Sequence, residues 1–216
     1  MILKHIVGWL VVTVLVIFGL PALVSPTAYV SQVKREQSAL VENFGAESAQ
    51  KIIVSADKAY TEAFEDSGLH KSFMEHYSIP EKDILSDKPA ENDPLRQNAM
   101  AKYERKMQAY FVGLFVSFYE WIFRMVQLLM WCVFALPFLV AAAWDGLMLR
   151  KVRAASFIYS SPSIYNGLWH ALIAMFFGAN VLLNIPFTVK PLIYPIILAM
   201  FALLIRTLLA NLQRSA

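Results

Sequence analysis

The chain has little of what thiol or metal chemistry requires: one cysteine and four histidines in 216 residues. Cys132 lies within an apolar stretch and has no second cysteine with which to form a disulfide bond. His70 and His76, with Glu75 between them, are not one helical turn apart, as the zinc motifs on helices require. The sequence therefore predicts no thiol catalysis, no metal site and no cofactor.

Motifs for nucleotide or acyl chemistry are missing as well. There is no glycine-rich phosphate loop, no nucleophile elbow, and no grouping of Ser, His and Asp in a suggestive context. These absences predict a protein that is not an enzyme and has no catalytic residues.

Long apolar stretches are what the chain does contain. They cover Ile6–Val24, Tyr110–Trp144, Leu168–Phe187 and Leu192–Leu212, in a sequence that is 58% hydrophobic. Crossing the hydrocarbon core takes roughly 20 predominantly apolar residues, and backbone amides cannot stay unpaired in lipid. No alternating pattern of barrel strands is present. The sequence predicts an all-α, polytopic membrane protein with four transmembrane helices.

A polar insert between the first two stretches is expected to form a small helical extramembrane domain. Its apolar residues recur with helical spacing between Thr27 and Tyr77, and Gly68 is a plausible helix stop. Ser78–Asn92 has the prolines and charges of a loop, and Asp93-Pro94 is a good helix start. The predicted organisation is an uncleaved anchor helix (1–25), the helical extramembrane domain (26–109), a stalk and second span (110–144), a basic cytoplasmic loop (145–166), and a transmembrane hairpin with a short tail (167–216).

The second apolar stretch is too long for one crossing, since its 35 or so residues would measure about 52 Å as a helix. The span is better placed from Met125 to Trp144. Glu120 and Arg124 then form an i,i+4 ion pair at the membrane interface. A proton relay or substrate site is the alternative interpretation, because charges inside a membrane are costly and often functional.

Charge asymmetry gives an orientation. The insert of residues 26–109 carries 11 Lys plus Arg and 14 Asp plus Glu, whereas the rest of the chain carries 8 and 2. Basic residues concentrate in the loop after the second span and near both termini, and cytoplasmic segments are enriched in Lys and Arg. This pattern predicts that both termini are cytoplasmic and that the insert is periplasmic.

Two further groups of residues are candidate contact sites. Arg150, Lys151 and Arg153 form a basic stretch that suits anionic lipid headgroups or an acidic face on a partner. Three basic residues are too few for strong phosphate binding, so no direct nucleic-acid contact is expected. Asn180 and Asn184, with Gly178 nearby, predict a helix-packing face, used within the chain or with another protein.

The C-terminal half resembles a known family. The residues that carry the resemblance are Trp144-Asp145-Gly146, Arg150, Arg153, Ser156-Phe157-Ile158-Tyr159, Pro186-Phe187, Pro191, Pro195 and Arg206. From Tyr110 to the end, the chain is similar to the integrating-conjugative-element membrane proteins, which resemble the TraJ-type inner-membrane proteins encoded beside the coupling-protein gene of conjugative plasmids.

The resemblance implies a role in conjugative DNA transfer. It suggests a bacterial inner-membrane subunit that binds the type IV coupling ATPase or the membrane subunits of the secretion channel. Two alternatives are a small membrane transporter and an exclusion or immunity-type protein acting in the recipient cell. A transporter would be expected to have paired broken helices, internal repeats or several buried charges, and no repeat is visible here.

Overall fold

The structure, a computed structural model, describes residues 2–75, 84, 99–156 and 162–212. In this part of the chain all regular structure is helical, which confirms the all-α prediction there. A π-helical turn, Thr61–Glu65, follows the third helix. The seven α-helices are α1 (Ile2–Leu23), α2 (Pro26–Phe44), α3 (Ala46–Tyr60), α4 (Leu69–Met74), α5 (Ala99–Ala155), α6 (Pro162–Asn184) and α7 (Ile193–Ala210).

Four of these helices, α1, α5, α6 and α7, are long and apolar enough to cross a membrane. They correspond to the four predicted apolar stretches and indicate a multi-pass membrane protein. Helix α5 continues to Ala155, so residues 145–155, which were expected to begin a loop, are helical. The expected helix start at Asp93-Pro94, and the loop of Ser78–Asn92 apart from Ile84, lie outside the described residues.

The chain divides into two compact units. Unit 1 comprises Met1–Thr13, Gln127–Leu182 and Leu192–Ala216, and unit 2 comprises Val14–Val126 and Leu183–Pro191. The boundary passes through α1, α5 and α6, so each of these helices contributes residues to both units.

The insert folds against the N-terminal part of α5 within unit 2. Apolar residues at helical spacing on α2 and α3 form its core with two residues of α5, because one face of each amphipathic helix must leave water. The buried members are Leu40, Ala49, Ile52, Ala56, Ile122 and Phe123. Aromatic side chains extend this contact, with Phe64 stacked on Phe118 and Phe73 against Phe111.

A tight turn at Gly45 joins α2 to α3. Gly45 has φ +76°, a conformation that side chains with a Cβ rarely adopt, and its amide donates to the carbonyl of Val41. Ser25 caps the start of α2 by accepting a hydrogen bond from the amide of Ala28, and Pro26 occupies the first turn. Local sequence signals therefore set both ends of α2.

Burial changes along α5. In unit 2 its side chains at Phe115 and Phe123 are buried against the insert, and Val112 is buried as well. In unit 1, Val133 and Phe138 are more than two thirds exposed, as expected of side chains that lipid would cover.

Pairs of helices run parallel in unit 1. His5 of α1 contacts His170 of α6, and Trp9 of α1 contacts Phe177 of α6, so the contacts advance in the same direction along both helices. The contacts of α5 with α7 also advance together, from Asp145 with Arg206 to Arg153 with Asn211.

Candidate functional site

Arg124 is the most enclosed charged residue in the part of the chain that the structure describes. Its side chain has no solvent-exposed surface, and it lies on α5 in unit 2. All three guanidinium nitrogens donate. Nε and Nη2 bind the two carboxylate oxygens of Glu36 at 3.1 and 2.6 Å, and Nη2 also binds Glu120 at 2.5 Å.

The same guanidinium holds the segment between α6 and α7. Nη1 donates to the carbonyls of Leu183 and Ile185 at 2.9 and 2.8 Å, and Nη2 donates to the carbonyl of Phe187 at 2.7 Å. The ring of Phe187 lies 6.0 Å from the guanidinium carbon. A planar fork with five N–H groups suits this task, since a lysine ammonium has three donors at one point.

Glu36 completes the arrangement from α2. One of its oxygens accepts hydrogen bonds from the amide of Val189 at 2.8 Å and from the side chain of Gln32 at 3.3 Å, besides its contact with Arg124. The cluster of Glu36, Glu120 and Arg124, here called the charge cluster, therefore joins α2, α5 and residues 183–189.

Burial makes the charge cluster highly sensitive to the loss of a partner. Glu36 and Glu120 are each 1% exposed. Removing charges from water costs several kcal/mol per ion, and close pairing with full hydrogen bonding offsets that cost. Removing one partner, or moving it away, would leave an uncompensated buried charge. The charge cluster therefore holds α2, α5 and residues 183–189 in one arrangement.

The two carboxylates are not equivalent. Glu36 accepts four hydrogen bonds, whereas Oε2 of Glu120 has no hydrogen-bond partner among the described residues. Tyr29, fully buried on α2, likewise has a hydroxyl without a partner there. Burial, and then the charge of Glu120, raise the pKa of Tyr29 and keep its phenol neutral.

A second polar contact supports the same unit. The hydroxyl of Tyr119 donates to Asp57 of α3 at 2.6 Å and accepts a bond from Gln37 of α2 at 3.4 Å. The side chain of Tyr119 on α5 thus contacts both α2 and α3. Tyr119 directly precedes Glu120 of the charge cluster.

In unit 1 the Trp-Asp-Gly sequence forms a close helix contact. Asp145 of α5 forms an ion pair with Arg206 of α7. Gly146 lies so close to α7 that an added Cβ would be 2.5 Å from the carbonyl oxygen of Arg206 and 3.0 Å from Cβ of Leu209.

The three basic residues predicted as a lipid or partner site differ in their surroundings. Arg153 donates to Asn211 at 2.8 Å and to the carbonyl of Ala210 at 3.4 Å, so it ties α5 to the end of α7. Arg150 is half-buried and Lys151 exposed, and neither has an acidic partner within the described residues. Arg150 and Lys151 are therefore the two that remain available to a ligand.

The predicted packing residues of α6 fall into different units and differ in burial. Asn184 is 7% exposed and buried within unit 2, and Asn180 is half-buried in unit 1. Around Gly178, an added Cβ would meet nothing within 4 Å, so the space on that side of α6 is open. Glu120 and Arg124 do contact each other, and both side chains are buried within the described chain.

Sequence reasoning missed Glu36 and the 183–189 segment. A usable signal was present, since Tyr29, Val33, Glu36 and Leu40 recur at helical spacing and all four are buried. A glutamate on the apolar face of an amphipathic helix indicates a buried cation elsewhere in the chain. The backbone carbonyls give no such signal.

A family model of DtrJ-like proteins, described as IncC plasmid conjugative DNA transfer proteins, matches residues 27–213. The chain belongs to the DtrJ-like family. The matched range contains the charge cluster and the contact of α5 with α7. The expectation of a protein associated with conjugation is thereby confirmed at the level of the DtrJ-like family. No curated protein and no solved structure gives a significant match.

Proposed function

We propose that this member of the DtrJ-like family is a non-enzymatic inner-membrane subunit of a conjugative type IV secretion system. It acts as an adaptor or assembly partner of the coupling ATPase. The observation that carries the proposal is the family match over residues 27–213. The resemblance of the C-terminal half to TraJ-type proteins of conjugative and integrating elements supports the choice of partner.

The architecture suits an adaptor. The charge cluster holds α2, α5 and residues 183–189 of unit 2 in one arrangement, so the insert can present a fixed surface. In the proposed orientation both termini are cytoplasmic and residues 26–109 are periplasmic. Arg150 and Lys151 contact anionic lipid or the partner's cytoplasmic face.

The proposed contact with partner helices lies on α6 around Gly178. Small residues allow helix backbones to approach closely in membranes, and the chain itself leaves the space beside Gly178 open. We place the contact of a transmembrane helix of the coupling ATPase or of a channel subunit at this open space beside Gly178.

Detergent co-purification from cells that carry the conjugative element tests this function. The tagged protein is expected to recover the coupling ATPase or channel subunits, identified by mass spectrometry. Gly178→Leu is expected to lower this recovery about tenfold, because the new side chain blocks close approach.

Gly167→Leu is the matched control, since an added Cβ at Gly167 of the same helix also meets nothing within 4 Å. It should leave recovery unchanged. Recovery of the wild-type protein alone would contradict the adaptor function. Equal recovery with Gly178→Leu and wild type would remove the α6 contact while leaving the adaptor function standing.

A further inference from the structure

The hydrogens and acceptors of the charge cluster do not balance at Nη2 of Arg124. This nitrogen carries two hydrogens. Three oxygens nevertheless lie close to it, from Glu36 at 2.6 Å, from Glu120 at 2.5 Å and from the carbonyl of Phe187 at 2.7 Å. If both glutamates are ionised, two carboxylates and a carbonyl compete for two hydrogens.

The formal charges of the charge cluster do not balance either. With both glutamates ionised, two carboxylates surround one guanidinium, and each of the three side chains is at most 1% exposed. Among the residues that the structure describes, Arg124 is the one cation within ion-pair distance of Glu36 or Glu120. An uncompensated buried charge is costly, and a buried carboxyl group avoids that cost by taking up a proton.

The hydrogen bonds indicate which carboxyl group takes the proton. Glu36 accepts four bonds over its two oxygens, from Arg124, from Gln32 and from the amide of Val189. Bonds of this kind favour the ionised form of a carboxyl group. Glu120 accepts one bond through Oε1, and its buried Oε2 has no partner among the described residues. A proton on Oε2 of Glu120 would therefore displace no existing bond.

Few other charged groups surround this oxygen. Arg124 on the same helix and Glu36 from α2 are the charges that act on Glu120. Residues 183–189 approach the charge cluster through backbone groups, and the side chain of Lys190 beyond them is exposed. No nearby cation therefore offsets the second carboxylate in the described part of the chain.

Tyr29 is a neighbour that can bind a protonated carboxyl group. It is close enough for the charge of Glu120 to act on it, and its buried hydroxyl has no partner among the described residues. A phenol can donate and accept, so it suits a carboxylic acid hydroxyl. Burial is the main cause of the raised pKa of Tyr29, so this phenol stays neutral whether or not Glu120 is charged.

We propose that the charge cluster is a proton-binding site, in which Glu120 is a neutral carboxylic acid at neutral pH. Glu36 and Arg124 remain an ionised pair. Loss of the proton leaves two carboxylates competing for Nη2 and weakens the hold of Arg124 on residues 183–189. The attachment of this segment to the insert thus depends on pH, independently of any partner protein.

Infrared spectroscopy of the full-length protein detects this proton. In a detergent without ester groups at neutral pH, the difference between wild type and Glu120→Gln should contain the carbonyl stretching band of one carboxylic acid. Glu47→Gln is the control, because Glu47 is exposed and paired with Lys51, and its difference spectrum should lack that band. A wild-type protein without an acid band that depends on Glu120 would overturn the proposal.

The pH dependence of stability gives a second test. A glutamate in an unfolded chain has a pKa of about 4.3, so unfolding near neutral pH releases the proton of Glu120. A rise in pH therefore favours unfolding. From about pH 6 to about pH 7, the unfolding equilibrium constant of the wild type should rise about tenfold relative to that of Glu120→Gln. A ratio that stays constant or falls would overturn the proposal.

Wild-type protein alone provides the test if Glu120→Gln does not fold. Its infrared spectra are recorded at neutral pH before and after denaturation. The acid band should vanish on unfolding, because the exposed glutamate ionises. An unchanged spectrum in the acid region would contradict a proton held by the folded state.

Discussion

At the scale of single residues, Arg124 makes more polar contacts than any other side chain that the structure describes in detail. Its guanidinium meets two carboxylates and three backbone carbonyls with no access to water. Such a group is stable only when every acceptor stays in place, because a buried charge without partners costs several kcal/mol. The charge cluster is therefore where a single substitution should have its largest effect.

Substitutions in the charge cluster should lower the free energy of unfolding by different amounts, in a fixed order. Arg124→Met leaves two buried carboxylates facing each other and is expected to cost about 3–5 kcal/mol of unfolding free energy. Glu36→Gln should cost less, since the amide still accepts some of the four hydrogen bonds. Glu120→Gln should change stability by less than about 1 kcal/mol. The carboxylate of Glu120 accepts one hydrogen bond, and without its charge Arg124 still has the carboxylate of Glu36 as its partner.

Thermal unfolding in detergent, followed by circular dichroism, measures this order. Arg150→Met is the control on the same helix, because Arg150 has no acidic partner in the described structure and should stay within about 0.5 kcal/mol. A Glu120→Gln protein as unstable as the Glu36→Gln protein would show that the two carboxylates are equivalent.

Gly146 is the second residue with a sharp expectation. Gly146→Ala places a Cβ at 2.5 Å from the carbonyl of Arg206, so α5 and α7 must separate. Overpacking of this kind costs about 1–3 kcal/mol. Gly8→Ala, in a helix with open space around the added carbon, should be neutral or slightly stabilising. The same unfolding measurement compares the two, and equal stability would contradict the close helix contact.

At the scale of elements, α5 is one helix of 57 residues whose two parts have different surroundings. Its length of about 85 Å far exceeds a bilayer core. Its membrane span is predicted to begin at Met125, because the apolar stretch of the sequence is too long for one crossing and carries two charges. In the structure, side chains from Phe111 to Phe123 pack against the insert, and apolar side chains after Gln127, such as Leu129 and Val133, are exposed.

Sequence alone could predict the helices but not their partners. Periodicity locates α2 and α3, and length locates the four apolar helices, because each signal is local. The contact of Glu36 with Arg124 depends on two residues far apart in the chain. The amide of Val189 and the neighbouring carbonyls are backbone groups that any residue type provides. These long-range contacts carry no signature in a single sequence.

Cysteine labelling along α5 tests whether its first part is buried and its second part exposed. In a chain where Cys132 is replaced by Ala, single cysteines at Phe134 or Phe138 should react with a membrane-soluble maleimide. Cysteines at Val112 or Phe123 should be protected, because both positions are fully buried. Each protein is denatured afterwards as a check that its thiol is intact. Equal labelling of all four positions would contradict the burial of the first part of α5.

At the scale of the whole molecule, the family match and the membrane helices together limit what the chain can be. It belongs to a family of conjugative DNA transfer proteins and has four helices able to cross a membrane. The sequence predicted both features. The partner could not be predicted from the sequence, because the open face proposed as a contact at Gly178 depends on which parts of α6 the rest of the chain covers.

The frequency of DNA transfer between cells tests the central claim most directly. A donor lacking this gene should lose transfer, and wild-type protein supplied in the donor should restore it. Gly178→Leu, at normal protein level, should restore little, whereas Gly167→Leu should restore it fully. Expression in the recipient alone should leave uptake unchanged. Undiminished transfer from the deleted donor, or blocked uptake by the expressing recipient, would contradict a subunit that works in the donor's transfer machinery.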